Sequence, residues 1–193
     1  MKPLLATSML ALGLGLSGLA QAETETYKID AEGMHAAANF RIKHLGYSWL
    51  YGRFNTFNGQ FTHDAAKPEA TSLDVTIDTG SVDSNHAERD KHLRSAEFLS
   101  AEEFPQARFV STSYQPREDG TGTLQGDFTL RGVTKPLSIE IKETGAGEDP
   151  WGGYRRGYEG SAVLTLADYG IDVDLGPESK EVELMLSVEG VRQ

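Results

Sequence analysis

The sequence contains no cysteine, so neither disulfide bonds nor thiolate metal ligands can stabilise the protein. Positive charge is also scarce, because 18 Lys and Arg residues stand against 29 Asp and Glu residues, a formal net charge of −11 at pH 7. Such a surface repels phosphate backbones and anionic lipid surfaces, and we expect no nucleic acid partner. The fold must therefore rest on side-chain packing and hydrogen bonds.

The first residues predict export. Lys2 precedes an apolar run at 4–19, which ends in the small-x-small sequence Ala20-Gln21-Ala22. This is the pattern of a secretory signal peptide, and the run is shorter than the ~20 residues of a membrane-spanning helix. We predict cleavage after Ala22 and a periplasmic location. Because no cysteine follows the cleavage site and no later run is long enough to span a bilayer, we expect no stable membrane anchor.

Residues 23–193 are predicted to form a single domain with an all-β fold. Apolar residues alternate with polar residues in five runs, and this period of two is the pattern of β-strands with one buried face. Turn sequences separate the runs, among them Asn58-Gly59, Asp119-Gly120 and Arg131-Gly132, and the glycine-rich segment 145–157 is interpreted as a long loop. The pattern indicates about eight strands in an antiparallel barrel. The alternating runs are Leu73, Val75, Ile77; Leu124, Phe128, Leu130; Leu137, Ile139, Ile141; Ala162, Leu164, Leu166; and Val182, Leu184, Leu186, Val188.

A helical segment is predicted near residues 84–99. Good helix formers follow Ser84, and Asn85 with Glu88 resembles a capping box. Apolar residues are few in this segment, so we place it across the mouth of the barrel and not in the core.

An eight-stranded barrel has an interior that either is filled by side chains or holds one small ligand. The aromatic residues favour a ligand cavity, because one short segment contains seven of them. They are Phe40, Tyr47, Trp49, Tyr51, Phe54, Phe57 and Phe61.

Catalysis and metal binding have little support in the sequence. His86 and Asp90 stand four residues apart on the predicted helix, which could hold zinc, but such pairs more often interact with each other and with water. A hydrolase that uses His44 or His92 as a base is the alternative to a binding protein, although no nucleophile and base share a recognised spacing. A third alternative is a structural module with a filled barrel. We expect no metal site and no enzyme.

Several motifs resemble the YceI family of periplasmic polyisoprenoid-binding proteins, and its gammaproteobacterial members in particular. The similarity covers nearly all of residues 23–193. Its most specific parts are RDKHLRSAEF at 89–98, GVTKPL at 132–137 and DPWGG at 149–153, together with YSWLYG at 47–52.

The resemblance implies an eight-stranded, lipocalin-like antiparallel barrel around an apolar tunnel for an isoprenoid lipid or quinone such as ubiquinone, with no other cofactor. It also places His44, Arg89, Asp90, His92 and Arg94 near the tunnel mouth, where they could hold a headgroup or fix the helix to the barrel. The sequence leaves open whether the protein forms a homodimer. The predicted ligand-binding residues are Phe40, Ile42, His44, Leu45, Trp49, Phe54, Phe57, Phe61, Arg89, Asp90, His92, Leu93 and Phe98.

Overall fold

The computed structural model describes residues 24–32 and 35–193, and the predicted signal peptide at 1–22 lies outside these residues. The described chain contains one α-helix, α1 (Ala87–Arg94), and short 3-10 turns at Pro68–Ala70, Thr79–Ser81 and Leu166–Tyr169. Its strands are β1 (Glu25–Ile29), β2 (Ala37–His44), β3 (Ser48–Phe54), β4 (Phe57–His63), β5 (Ser72–Asp78), β6 (Val82–Asp83), β7 (Gln106–Pro116), β8 (Thr121–Leu130), β9 (Val133–Glu148), β10 (Tyr154–Thr165) and β11 (Glu181–Arg192).

The strands close into an antiparallel barrel. Neighbours follow the order β1-β4-β5-β7-β8-β9-β10-β11, and β11 pairs with β1 to complete the ring. At the other end of the barrel β2 takes the place of β1 beside β11, β3 pairs with β2, and β6 pairs with β3. Three of the barrel strands are thus each interrupted once, and eleven segments make eight strands. The predicted eight-stranded antiparallel barrel is confirmed.

Alternation along each strand divides the barrel into two faces. On β8 the buried residues Leu124, Phe128 and Leu130 point inward and alternate with exposed or half-buried residues. The main core lies inside the barrel, and a second cluster of Tyr27, Ile29 and Phe61 closes the end formed by β1 and β4.

Helix α1 lies against β6, where the sheet ends on that side of the barrel. Arg94 donates a hydrogen bond from Nη1 to the Val82 carbonyl at 3.4 Å. The segment that follows α1 returns the chain to β7, and the Thr79 hydroxyl donates to the Phe104 carbonyl at 2.7 Å. The helix and this segment therefore cover the mouth of the barrel at the gap between β6 and β7.

Two predicted turns and loops are wrong. Asn58-Gly59 lies inside β4 and not in a turn. The glycine is needed there because the backbone of β5 approaches closely: a Cβ on Gly59 would lie 2.4 Å from the Asp74 carbonyl oxygen. Most of the predicted loop at 145–157 is strand, since β9 continues to Glu148 and β10 begins at Tyr154. The intervening turn is held by Asp149, whose Oδ1 accepts from the Gly153 amide at 2.7 Å.

The predicted helix is present but shorter than the segment 84–99. Asn85 has a φ of +62° and lies outside it, so the predicted capping box does not form. His86 caps the helix instead, with its side chain accepting from the Arg89 amide. The helix ends at Arg94 because Ser95 takes an extended conformation.

Candidate functional site

A cavity of about 490 Å³ occupies the interior of the barrel below α1. This volume is within the range of about 300–1,000 Å³ that is usual for small-molecule sites. Inward-facing residues of β2, β3, β8, β10 and β11 form its wall, and residues of α1 and the following segment form its roof. On β2 the inward face carries Ala38, Phe40 and Ile42, and Leu184 and Leu186 face them from β11. The wall is almost entirely apolar.

Most of the predicted ligand-binding residues line this cavity. From β2 and β3 they include Phe40 and Phe54, whose ring centroids lie 5.7 Å apart. The roof contributes Leu93 and Phe98, and Phe98 is 9% exposed. The predicted residues on the lining are Phe40, Ile42, His44, Leu45, Phe54, Arg89, His92, Leu93 and Phe98.

Trp49 does not line the cavity, and neither do Tyr47 and Tyr51. Trp49 pairs with Lys43 across the β2–β3 hairpin, which places both side chains on the outer face of the barrel. The guanidinium of Arg41 and the ammonium of Lys43 lie 4.1 and 4.3 Å from its ring centroid. Tyr47 is 88% exposed at the hairpin tip. The aromatic density of this segment therefore reflects both faces of a hairpin and not one cavity wall.

Phe57 and Phe61 lie at the closed end, away from the main cavity. Phe61 stacks on Tyr27 with ring centroids 4.9 Å apart, and Phe57 packs against the same cluster. Both residues point into the barrel, as Phe54 does, but β4 continues along the barrel axis beyond the cavity. Parity alone could not distinguish the empty part of the interior from the filled part.

Asp90 also lies outside the lining, and it fixes α1 to the barrel. Its Oδ1 accepts hydrogen bonds from the Ser84 amide at 2.7 Å and the Ser84 hydroxyl at 2.5 Å. Partial burial acts to raise the pKa of Asp90, but the hydrogen bonds from Ser84 outweigh it and hold that pKa below the usual range. Arg89 donates from Nε to the same hydroxyl at 2.7 Å. These polar residues were predicted either to hold a headgroup or to fix the helix to the barrel, and the contacts of Asp90 and Arg89 with Ser84 are of the second kind.

Two further polar groups of the mouth, His92 and Ser179, have protein partners. His92 Nε2 makes a short hydrogen bond with Glu97, and its ring meets Phe98 edge-on at 4.9 Å. The Ser179 hydroxyl donates to the Lys43 carbonyl at 2.5 Å. These contacts hold the loops of the mouth together around the opening.

The predicted ligand-binding residues do not include the part of the wall that comes from β8, β10, β11 and the loop between β10 and β11. Leu164, Val182, Leu184 and Leu186 were recognisable as strand residues from their alternation, but the pattern gave no reason to separate them from the filled core. Residues of the loop between β10 and β11 are lining residues as well, and no strand or helix pattern marks them. The missed lining residues include Phe128, Leu130, Leu164, Leu166, Ile171, Leu175, Val182, Leu184 and Leu186.

The opposite end of the barrel is closed by a buried polar cluster. Arg156 is 9% exposed and donates from Nη1 to Glu143 at 2.7 Å, and its guanidinium lies 5.8 Å from the Tyr27 ring centroid. Burial acts to lower the pKa of Arg156, but Tyr27 and Glu143 outweigh it and raise that pKa. Burial raises the pKa of the neighbouring Tyr158 phenol. The cavity is therefore a blind pocket that opens toward α1.

With this geometry established, comparison with known proteins identifies the family. The YceI-like domain description matches residues 27–190 of the chain. The protein belongs to the YceI family. A UPF0312 protein of Pseudomonas aeruginosa is 59% identical over 184 residues, which cover 95% of this chain and 96% of that protein. The predicted resemblance to gammaproteobacterial members is confirmed.

Solved structures show the same fold. Burkholderia cenocepacia BcnA superposes on this YceI-family chain with a TM-score of 0.73 at 18% identity, covering 83% of this chain and 98% of BcnA. A polyisoprenoid binding domain from Saccharophagus degradans, described as implicated in plant cell wall breakdown, gives a TM-score of 0.64 at 14% identity, with coverage of 86% and 98%.

Among the described residues of this YceI-family chain, one group of three side chains has the spacing of a metal site: Asp30, His35 and Glu189. The positively charged guanidinium of Arg155 lies between two of these side chains, with Nη1 2.7 Å from Asp30 and 2.5 Å from Glu189. His86 and Asp90, the pair that was considered for zinc and not expected to bind it, have separate partners: the His86 side chain accepts from the Arg89 amide, and the Asp90 carboxylate accepts from Ser84. In residues 24–32 and 35–193 no helix is long and apolar enough to cross a membrane.

Proposed function

We propose that this YceI-family protein binds a polyisoprenoid lipid, an isoprenoid quinone such as ubiquinone, and carries it through the periplasm. The observation that carries the proposal is the shape of the cavity: an apolar blind pocket of about 490 Å³ with its polar groups at the open end. An unbranched or prenyl tail fits such a pocket, and the headgroup remains at the mouth beside His44 and Arg89. The description of a structural neighbour as a polyisoprenoid binding domain supports the same ligand class.

The energetics favour recognition of the tail over recognition of the headgroup. Burial contributes about 0.8 kcal/mol per methylene, so one five-carbon unit contributes on the order of 3 kcal/mol before the costs of binding. A hydrogen bond to a charged group at the mouth contributes roughly 1.5–3 kcal/mol. A tail of several units therefore dominates the affinity. Among the described lining residues, no contact favours the hydrolase alternative.

The test is mass spectrometry of an organic extract of the mature protein, purified from its own periplasm without detergent. We expect a polyprenyl lipid or quinone at close to one molecule per barrel. The control is protein that is unfolded, washed with solvent and refolded in the same buffer. Lipid that is acquired nonspecifically from the buffer would be found equally in this control. An extract of folded protein without stoichiometric lipid would contradict the proposal.

A further inference from the structure

A second, smaller cavity of about 50 Å³ lies inside the barrel between the main cavity and the closed end. Its wall is formed by inward-facing residues of β4, β5, β8, β9, β10 and β11, among them Leu73, Leu124, Ile141, Tyr158 and Val188. A cavity holds one water molecule when such a volume reaches about 10–15 Å³. The second cavity is several times larger than this minimum, so its size is on the scale of a few carbon atoms, as in one five-carbon prenyl unit.

Leu186 separates the two cavities. Among the described residues it is the only one that lines both of them. Its partners across the sheet are small, Gly160 on β10 and Ala38 on β2, so its side chain has space to lie across the barrel interior. A Cβ placed on Gly160 would lie 3.5 Å from Leu186 Cδ1, which shows that the side chain covers the glycine.

We propose that Leu186 is the stop that ends the tail-binding site, and that the second cavity is an unused subsite for one further isoprene unit. This inference rests on the proposed function. In the native protein the tail ends against Leu186, so added units gain nothing once the main cavity is full. Removal of the Leu186 side chain joins the cavities and admits one more unit.

The extension has a limit, because charged groups close the barrel beyond the second cavity. Arg156 and Glu143 form their ion pair there, and Phe61 covers Gly190, where a Cβ would lie 2.4 Å from a ring carbon. A prenyl chain that reached this cluster would have to displace the buried guanidinium of Arg156 or its ion pair with the half-buried Glu143, which is unfavourable. Opening the stop should therefore add about one unit of accepted length and not several.

The test measures the dissociation constants of a series of all-trans prenyl alcohols that differ by one isoprene unit. Delipidated mature protein is compared with Leu186→Ala and with the matched control Leu184→Ala. Leu184 lies on the same strand and lines the main cavity only. In the native protein and in Leu184→Ala, affinity should rise with length and then level off. In Leu186→Ala it should level off one unit later, with a gain on the order of 10- to 100-fold for the added unit.

Val188→Phe provides a second test that does not depend on the folding of Leu186→Ala. Val188 lines the second cavity and not the main one, so the larger side chain fills the subsite alone. We expect the length dependence of the native protein to be unchanged. A shift toward shorter alcohols would show that the tail already passes Leu186 and would overturn the stop, as would a Leu186→Ala profile equal to that of Leu184→Ala. Failure of every alcohol to bind the native protein would overturn the proposed function itself.

Discussion

Phe40 belongs both to the packed core and to the cavity wall. It is 8% exposed, and its ring covers Gly52 on β3 so closely that a Cβ there would lie 2.3 Å from the ring. The ring also lines the cavity, with its centroid 5.7 Å from that of Phe54. A polar group at this position therefore meets apolar surroundings on both sides.

We predict that Phe40→Asp, and likewise Ile42→Asp, reduces lipid retention more than Arg89→Ala or His92→Ala does. An unpaired carboxylate in the wall costs several kcal/mol or draws water into the pocket. Loss of Arg89 at the mouth removes hydrogen bonds of roughly 1.5–3 kcal/mol. The measurement is the lipid content of each purified variant after a near-ultraviolet circular dichroism check of folding.

The matched control is Tyr51→Asp, which places the same charge on the outer face of the same hairpin, where Tyr51 is 55% exposed. It should retain the lipid. Retention by folded Phe40→Asp together with loss from Arg89→Ala would show instead that the headgroup determines binding.

His63 at the closed end gives the protein a pH dependence. Burial of the imidazole, followed by the charge of Arg156, lowers the pKa of His63 below its ordinary 6.5. The unfolded chain therefore takes up a proton at about pH 6.5, and the folded chain takes it up only at lower pH. As a result, the free energy of unfolding should fall as the pH falls below 6.5. His63→Gln should weaken this fall between pH 7 and 5 in chemical denaturation, and His44→Gln, an exposed residue at the mouth, is the control. Equal slopes for the native protein and His63→Gln would contradict the assignment.

At the scale of elements, α1 is held by hydrogen bonds and only lightly by packing. None of its residues is fully buried, and the acceptor of the Ser84 amide and hydroxyl is the carboxylate of Asp90. The helix is also only eight residues long, too short to be stable without tertiary contacts. The roof of the cavity should accordingly be the part that opens first.

We predict that Asp90→Ala releases this roof. The buried Ser84 amide loses its acceptor at a cost of about 1–3 kcal/mol, so amide hydrogen exchange should accelerate in 84–99 and lipid should dissociate faster. Lys91→Ala changes an exposed residue on the same helix and should leave both rates unchanged. If Asp90→Ala exchanged like the native protein in this segment, another contact would have to hold the helix.

At the scale of the whole molecule, the barrel depends on contacts between residues distant in the chain. β1 pairs with β11, so that Tyr27 lies opposite Arg192, and this pairing completes the ring. With no cysteine in the sequence, packing and hydrogen bonds do what disulfides do in many exported domains. The carboxylates of Asp30 and Glu189, the nearest approach to a metal site in the described chain, lie against Arg155.

We therefore predict that EDTA changes neither the melting temperature nor the lipid content of the protein. Metal binding to folded protein would raise the melting temperature by mass action, and its removal would lower it. Thermal denaturation with and without chelator measures this, with calcium and zinc added back as controls. A clear drop in melting temperature with EDTA would show that an ion contributes to the fold.

The amino-acid pattern was sufficient for the fold class, because alternation along runs such as Leu124 to Leu130 requires strands with one buried face, whatever their partners. The local pattern also predicted correctly that a helix lies within 84–99 and that Phe40 and Ile42 face inward together, since parity within a strand is a local property of the chain. The family motifs added the expectation of an apolar tunnel.

Which inward-facing residues border the empty part of the barrel could not be predicted without the three-dimensional fold. Phe54 and Phe61 both point into the barrel, but the first lines the cavity and the second closes the far end with Tyr27. Trp49 lies on the outer face because the hairpin pairs it with Lys43. Likewise, Asp90 fixes the helix and does not line the cavity, because its carboxylate accepts hydrogen bonds from Ser84. Such differences depend on position along the barrel axis and on cross-strand register, which are set by strand pairing over long distances in the chain and leave no local pattern in it.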